Sequence, residues 1–201
     1  MIAVRVLVTG ASGFIGWNFR RRHAGRFEIV AARHAEPVDG PSVQVDLADP
    51  VSIERMWSEV RPEAVLHLAG RTRPEACEAD PTAGLVNAEA TGLLARLATE
   101  SGARLVYSST DLVFDGLSPP YREDAPPNAL STYGRTKAAG ERAVLASGGR
   151  HLVCRISLTY GPSPRGGVRQ LDWMLAASNE GRPVRLYVDE FRAPIDALTL
   201  A

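Results

Sequence analysis

A tyrosine and a lysine stand four positions apart in Tyr133-Gly-Arg-Thr-Lys137, a spacing that puts both on one face of a helix. A phenol with its ordinary pKa near 10 is a poor proton donor or acceptor at neutral pH. An ammonium close by lowers that value and can also hold sugar hydroxyls. Of 23 basic side chains, Lys137 is the only lysine. A sequence that otherwise chooses arginine keeps a compact ammonium at this one place, where a planar guanidinium would not substitute. Upstream, at the end of a strand-like run, stands Ser108-Ser109-Thr110-Asp111. A hydroxyl there can hydrogen-bond a substrate carbonyl beside the tyrosine. The expected chemistry is proton transfer to or from a carbonyl oxygen.

Such side chains need a platform, and the N-terminal residues supply one. Ile2–Thr9 is a continuous apolar run with one arginine, the pattern of a strand buried on both faces. Gly10-Ala-Ser12-Gly13-Phe14-Ile15-Gly16 follows it and opens a helix over Phe14–His23. Gly10 lets the chain turn sharply. Gly13 lets the backbone approach a pyrophosphate, which then faces the amides and positive dipole end of the helix. Gly16 permits close helix–sheet packing. Strand, turn and helix in this order are the context that a dinucleotide fingerprint requires. Gly10, Ser12, Gly13, Phe14, Ile15 and Gly16 are therefore expected to line a cofactor.

The residue ending the second strand should read the adenosine ribose, an acid for NAD and a base for the NADP 2′-phosphate. That place holds Arg33, followed by His34. An arginine fork suits a phosphate, so NADP(H) is expected, with NAD as the alternative. Asp46-Leu47 resembles the acid-plus-apolar pair that meets an adenine ring. Leu68-Ala69-Gly70 ends the fourth strand with small residues where backbone must pass close to the cofactor. Tyr133 and Lys137 belong to this site too, the ammonium reaching the nicotinamide ribose.

The order of elements fits. Strand-like segments at Phe27–Ala32, Val43–Val45, Ala64–Leu68, Arg104–Ser108 and His151–Ile156 alternate with helix-like ones at Pro50–Val60, Thr82–Ser101 and Tyr133 to about Ala146. A polar loop over Asp115–Ser131 carries Pro119, Pro120, Pro126 and Pro127. This repetition predicts an α/β fold with a doubly wound parallel sheet, ligands lying at the carboxyl ends of the strands. Beyond Gly161 the pattern weakens. A loop over Pro162–Val168 leads to a helical stretch at Gln170–Glu180, a strand near Val184–Val188 and the opening of a last helix. The expected division is a dinucleotide-binding domain over residues 1–161 and a partial substrate-binding lobe over 162–201.

Composition narrows the function classes. Hydrophobic residues at 45% and charged residues at 23% are those of an ordinary globular chain. A formal net charge of zero argues against a broad grip on nucleic acid or anionic lipid. Cys77 and Cys154 are too few for a disulfide framework and have no metal-ligand spacing around them, so no metal is expected. No apolar run is long enough to cross a bilayer and no leader pattern opens the chain, so a cytoplasmic protein is expected.

The G-x-x-G-x-x-G spacing, worded Gly-Phe-Ile-Gly, resembles the extended branch of the short-chain dehydrogenase/reductase superfamily. Ser109-Thr-Asp-Leu-Val-Phe-Asp-Gly116, Pro120-Tyr-Arg-Glu-Asp124, Tyr133 through Glu141, Thr72 through Glu78 with Val86-Asn87, and Asp189-Glu-Phe-Arg-Ala-Pro194 resemble the dTDP-4-dehydrorhamnose reductase family. The resemblance implies hydride transfer to the C4 ketone of a nucleotide-linked 4-keto-6-deoxy sugar, with Tyr133 as general acid. It also implies Thr110 as the hydroxyl of the set, with Ser109 the alternative. Sugar-nucleotide dehydratases carry Thr-Asp-Glu here, whereas this chain has Leu112. Epimerases usually carry Val-Tyr-Gly rather than Val-Phe-Asp-Gly. Two features depart from the reductases: Leu158 stands where they often present a tryptophan, and family members continue further into a substrate lobe. Pro119 through Asp124 and Arg155-Ile-Ser-Leu158 also resemble the regulatory beta subunit of methionine adenosyltransferase, which implies a second reading: an NADP-binding subunit that docks on a partner enzyme. A homodimer is the other assembly expected.

Overall fold

The structure, a computed structural model, describes residues 3–164, 166–169 and 171–201; Ile2 and Gln170 lie outside them. Strands β1 (Arg5–Thr9), β2 (Glu28–Arg33), β3 (Ser42–Gln44), β4 (Ala64–His67), β5 (Arg104–Thr110) and β6 (Leu152–Ile156) form one sheet in the order β3-β2-β1-β4-β5-β6. Every neighbouring pair is parallel. The order reverses between β1 and β4, where a doubly wound sheet opens a crevice for a ligand.

Helices cover both faces because both faces are apolar. On one side α2 (Pro50–Val60), α4 (Ala90–Ser101) and α5 (Thr132–Ala146) bury Ile53, Met56, Leu94 and Val144 against Leu7, Val65, Leu105 and Tyr107. On the other, α1 (Phe14–Arg22) sets Phe19 against Val6, Val8 and Ala31. Helix starts follow local chemistry. Asp49 caps α2 by accepting from the Val51 amide at 3.0 Å, with Pro50 at the first position. Ser131 caps α5 by accepting from Gly134 at 3.1 Å.

Beyond β6 the chain forms a smaller sheet of β7 (Thr159–Pro162), β8 (Val168–Arg169) and β9 (Ile195–Asp196), with α6 (Asp172–Asn179) between them and α7 (Ala197–Leu200) after. The strand expected near Val184–Val188 does not form. An apolar run becomes a strand only beside a partner, and Leu186, Tyr187 and Val188 stand 61%, 82% and 94% exposed with no ladder. The single helix expected over Thr82–Ser101 is a composite. A π-turn at Leu85–Glu89 precedes α4, and a separate short helix, α3 (Pro74–Ala79), lies before it. Among the described residues no helix is long and apolar enough to cross a membrane.

Candidate active site

The glycine turn ends β1 and forms one wall of a cleft of about 520 Å³. Gly10 has φ +66°, and a Cβ there would lie 2.8 Å from the Ala69 amide nitrogen. A Cβ on Gly16 would come within 2.4 Å of the Gly10 carbonyl oxygen, so the helix packs against its own turn only without one. Ser12 and Gly13 are exposed at the mouth, and the first turn of α1 carries no acidic side chain. Its amides and dipole therefore face the cleft uncompensated, which fits a diphosphate.

The expected residues fall in two neighbouring hollows. Gly10, Ser12, Gly13, Phe14, Ile15, Gly16, Leu68, Ala69, Gly70, Thr110 and Tyr133 line the larger cleft. Arg33, Asp46 and Leu47 join Gly10, Ser12, Ala69 and Gly70 around a second hollow of about 200 Å³ at the ends of β1 and β2. Among the described residues Arg33 forms no salt bridge, so its guanidinium is available at that end. Lys137 lines neither hollow; it is 4% exposed beneath the cleft floor.

Thr110 ends β5, and its hydroxyl oxygen accepts from the Leu112 amide at 3.2 Å, capping a 3₁₀ turn at Asp111–Val113. Ser109 Oγ donates instead to the buried carboxylate of Glu141. Thr110 is thus the hydroxyl beside the Tyr133 phenol. The expected electrostatics need correction. Burial pushes the Tyr133 phenol up, while the Thr110 hydroxyl and the charge of Arg192 pull it down. The nearby cation acting on the phenol is Arg192. Burial lowers Lys137 to about 7, against an opposing pull from Glu141. Its Nζ sits 4.2 Å from the centroid of the Tyr107 ring.

Two residues of the site had no role assigned from sequence. Arg192 reaches back across the strand ends and grips Asp111 with two bonds, Nε to Oδ2 at 2.9 Å and Nη2 to Oδ1 at 3.0 Å. Ser157 Oγ donates to the same carboxylate at 2.7 Å. The Asp189–Pro194 motif contains this arginine, but only tertiary structure brings it 81 positions back to Asp111. Asn87, inside the π-turn, accepts from the Arg71 amide at 2.8 Å and donates to the Arg71 carbonyl and to Thr136 Oγ1, both at 3.0 Å. It ties the end of β4 to the helix carrying Tyr133 and Lys137. π-turns of this kind recur at functional sites.

Behind the cleft His67 is fully buried and joins three elements. Thr91 donates to the Asn87 carbonyl at 2.9 Å, so its oxygen accepts from His67 Nε2–H at 2.9 Å, leaving Nδ1 to accept from Thr9 at 2.7 Å. Burial and the Lys137 charge hold the imidazole down at about 3. A base whose folded pKa lies below its unfolded value near 6.5 binds its proton more readily when unfolded. Its contribution to stability is complete above about pH 6.5 and declines toward about pH 3, by at most about 1.4 kcal/mol per unit. Thermal melts from pH 7 to 4 should therefore fall more steeply for the wild type than for His67→Asn; parallel curves would remove His67 from the acid response.

Residues 4–201 match the family described as the RmlD substrate binding domain. A dTDP-4-dehydrorhamnose reductase of Burkholderia thailandensis is 33% identical over 200 residues, 98% of this chain and 63% of that protein. Methionine adenosyltransferase 2 subunit beta of Bos taurus is 38% identical over 165 residues, 80% of this chain and 48% of that one. The chain thus spans between about half and two thirds of the length of these relatives. Among solved structures, a dTDP-4-dehydrorhamnose reductase of Bacillus anthracis in complex with NADP superposes with a TM-score of 0.77 at 26% identity, covering 90% of this chain and 61% of that one. The glycine-lined cleft, the parallel sheet and a match running from residue 4 to the last residue converge on one assignment: the chain belongs to the RmlD substrate binding domain family.

Proposed function

We propose that the chain is an NADP(H)-dependent reductase that delivers hydride to the C4 ketone of a nucleotide-linked 4-keto-6-deoxy sugar, of the kind used in dTDP-rhamnose biosynthesis. The observation that carries this reading is the meeting of the glycine cradle with Thr110 and Tyr133 in one cleft. Under it, residues 1–161 hold the cofactor and 162–201 contribute to the substrate side, in a cytoplasmic protein. The turn at Gly10, Ser12 and Gly13 binds the pyrophosphate. Arg33 takes the 2′-phosphate, and Asp46 with Leu47 meets the adenine. Leu68, Ala69 and Gly70 let the backbone approach the nicotinamide half. When bound, the reduced nicotinamide supplies a hydride to the ketone carbon. Thr110 orients the carbonyl oxygen, and Tyr133 donates its phenolic proton to that oxygen as the bond to carbon forms. Lys137 supports the ribose hydroxyls, and Arg192 with the Thr110 hydroxyl favours the resulting phenolate. Arg192, held by Asp111 and Glu190, fixes the substrate-side edge of the cleft beside Tyr133.

The test is NADPH oxidation, followed by absorbance, with a dTDP-4-keto-6-deoxyhexose as substrate. Oxidation that depends on Tyr133 supports the reading. Binding of NADPH without consumption supports the second reading, a regulatory subunit docked on a partner enzyme. That alternative is favoured by the 38% identity to methionine adenosyltransferase 2 subunit beta and by Leu158 at the cleft wall. Arg33→Asp is expected to reverse the cofactor preference, weakening NADPH by about 10-fold or more while sparing NADH. An unaltered ratio of the two dissociation constants would place 2′-phosphate recognition on other residues.

A further inference from the structure

Lys137 is buried and cationic in its ordinary state, and among the described residues it forms no salt bridge. The nearest acid along its own helix, Glu141, is committed elsewhere. Its carboxylate accepts from Arg155 Nη2 at 2.8 Å, from Arg155 Nε at 3.1 Å and from Ser109. What lies against the ammonium is an aromatic face, the Tyr107 ring 4.2 Å from Nζ. Tyr107 is fully buried and pinned at its far end, its hydroxyl donating to the Asn87 carbonyl at 3.2 Å and reaching the Lys137 carbonyl at 3.4 Å. No Cβ fits on Gly140, where it would lie 2.5 Å from the Tyr107 hydroxyl oxygen, so the helix is cut to receive this ring. In register across β4 and β5 stands His67, its ring 5.5 Å from that of Tyr107 and inclined by 22°.

We propose that Tyr107 is a positioning residue for Lys137, its ring face holding the ammonium under the cleft floor while His67, bonded at both nitrogens, fixes the ring. A π-face attracts a cation without forming a directed hydrogen bond to it. The ammonium is thus held in place while its N–H groups stay free to turn upward. A carboxylate at the same spot would bind those hydrogens and hold the side chain down. The groups facing Lys137 are Tyr107 from β5, His67 from β4, Glu141 from its own helix, and the backbone at Gly70, where an added Cβ would lie 3.9 Å from Nζ. That the freed N–H groups meet ribose hydroxyls rests on the reductase reading; the seat of the ammonium on the ring does not.

Because the chain has one lysine, lysine labelled with ¹³C at the ε-carbon gives a single side-chain resonance. Its titration midpoint reports Lys137 in the full chain with no cofactor or substrate present. Tyr107→Leu is expected to lower that midpoint by about one pH unit, the scale of a desolvated cation–π contact. Tyr107→Phe, which keeps the face and loses the hydroxyl, should leave it in place. Should Tyr107→Leu fail to fold, phenylalanines bearing one, two and three fluorines at position 107 keep the shape and weaken the ring quadrupole step by step. The midpoint should then fall with each fluorine. A midpoint unchanged across that series, or displaced as far by Tyr107→Phe as by Tyr107→Leu, overturns the proposal. NADPH titration of the same variants separates the two claims: a midpoint that falls while affinity holds keeps the seat and removes its link to the cofactor.

Discussion

Under the proposed reductase reading, Tyr133→Phe is expected to lower turnover of a keto-sugar nucleotide by about 10²- to 10⁴-fold while NADPH affinity stays within about twofold. The substitution removes one oxygen from a half-buried ring, so packing against the cleft wall persists and the transferable proton is lost. Burial holds the phenol above its ordinary value, which keeps it protonated throughout the neutral range and so suited to act as an acid. Thr110 and the charge of Arg192 work in the opposite direction and favour the phenolate that forms when the proton leaves. Stopped-flow absorbance of NADPH, with binding measured separately by fluorescence, reads the two quantities. Turnover within a few fold of wild type would remove Tyr133 as the proton donor and point to water or another acid.

Arg155→Met carries the largest expected loss of stability, about 3–5 kcal/mol, or roughly 10 °C in Tm. The side chain of Glu141 is only 2% exposed and that of Arg155 20%. Losing the guanidinium leaves a buried carboxylate with Ser109 as its remaining side-chain partner. The same guanidinium lies 4.9 Å from the Phe114 ring centroid and donates to the Glu123 carbonyl at 3.2 Å. It therefore also anchors the proline-rich loop at the cleft edge. The double variant Glu141→Leu with Arg155→Met should recover much of the loss, since apolar pairs replace buried ion pairs with little penalty. Calorimetry on the two single variants and the double forms a complete cycle. A single Arg155→Met variant that melts with the wild type would show that water reaches Glu141.

The parts of the molecule legible in its sequence are those set by neighbours along the chain. The glycine turn, the six parallel strands and the Tyr133–Lys137 helix all announce themselves through local spacing, and each forms within a residue or two of its expected bounds apart from the first strand. The first strand begins at Arg5, later than the apolar run. What escaped depends on partners far away. Arg192 acquires its place only when the chain returns to Asp111, and Asn87 only when α5 sets Thr136 beside it. Strands as short as Val168–Arg169 and Ile195–Asp196 have no periodicity to read. The run at Val184–Val188 has the periodicity and no strand beside it. The expected effect of Lys137 on Tyr133 was drawn from spacing alone, which places two side chains on one face but says nothing of the ring at Tyr107 that receives the ammonium.

The π-turn at Leu85–Glu89 gives the helix one residue of length to spare. It is closed by the Ala90 amide donating to the Leu85 carbonyl, five residues back, and so holds one residue more than a regular turn. Deleting one of these residues would rewind the segment into a regular α-turn, and the residues on either side would keep their faces, because the wide turn already absorbs the extra residue. Asn87 would swing away from Arg71 and Thr136 together. A one-residue deletion would thus be taken up within the turn, and its effect would fall on the contacts of Asn87 rather than on the packing of α4.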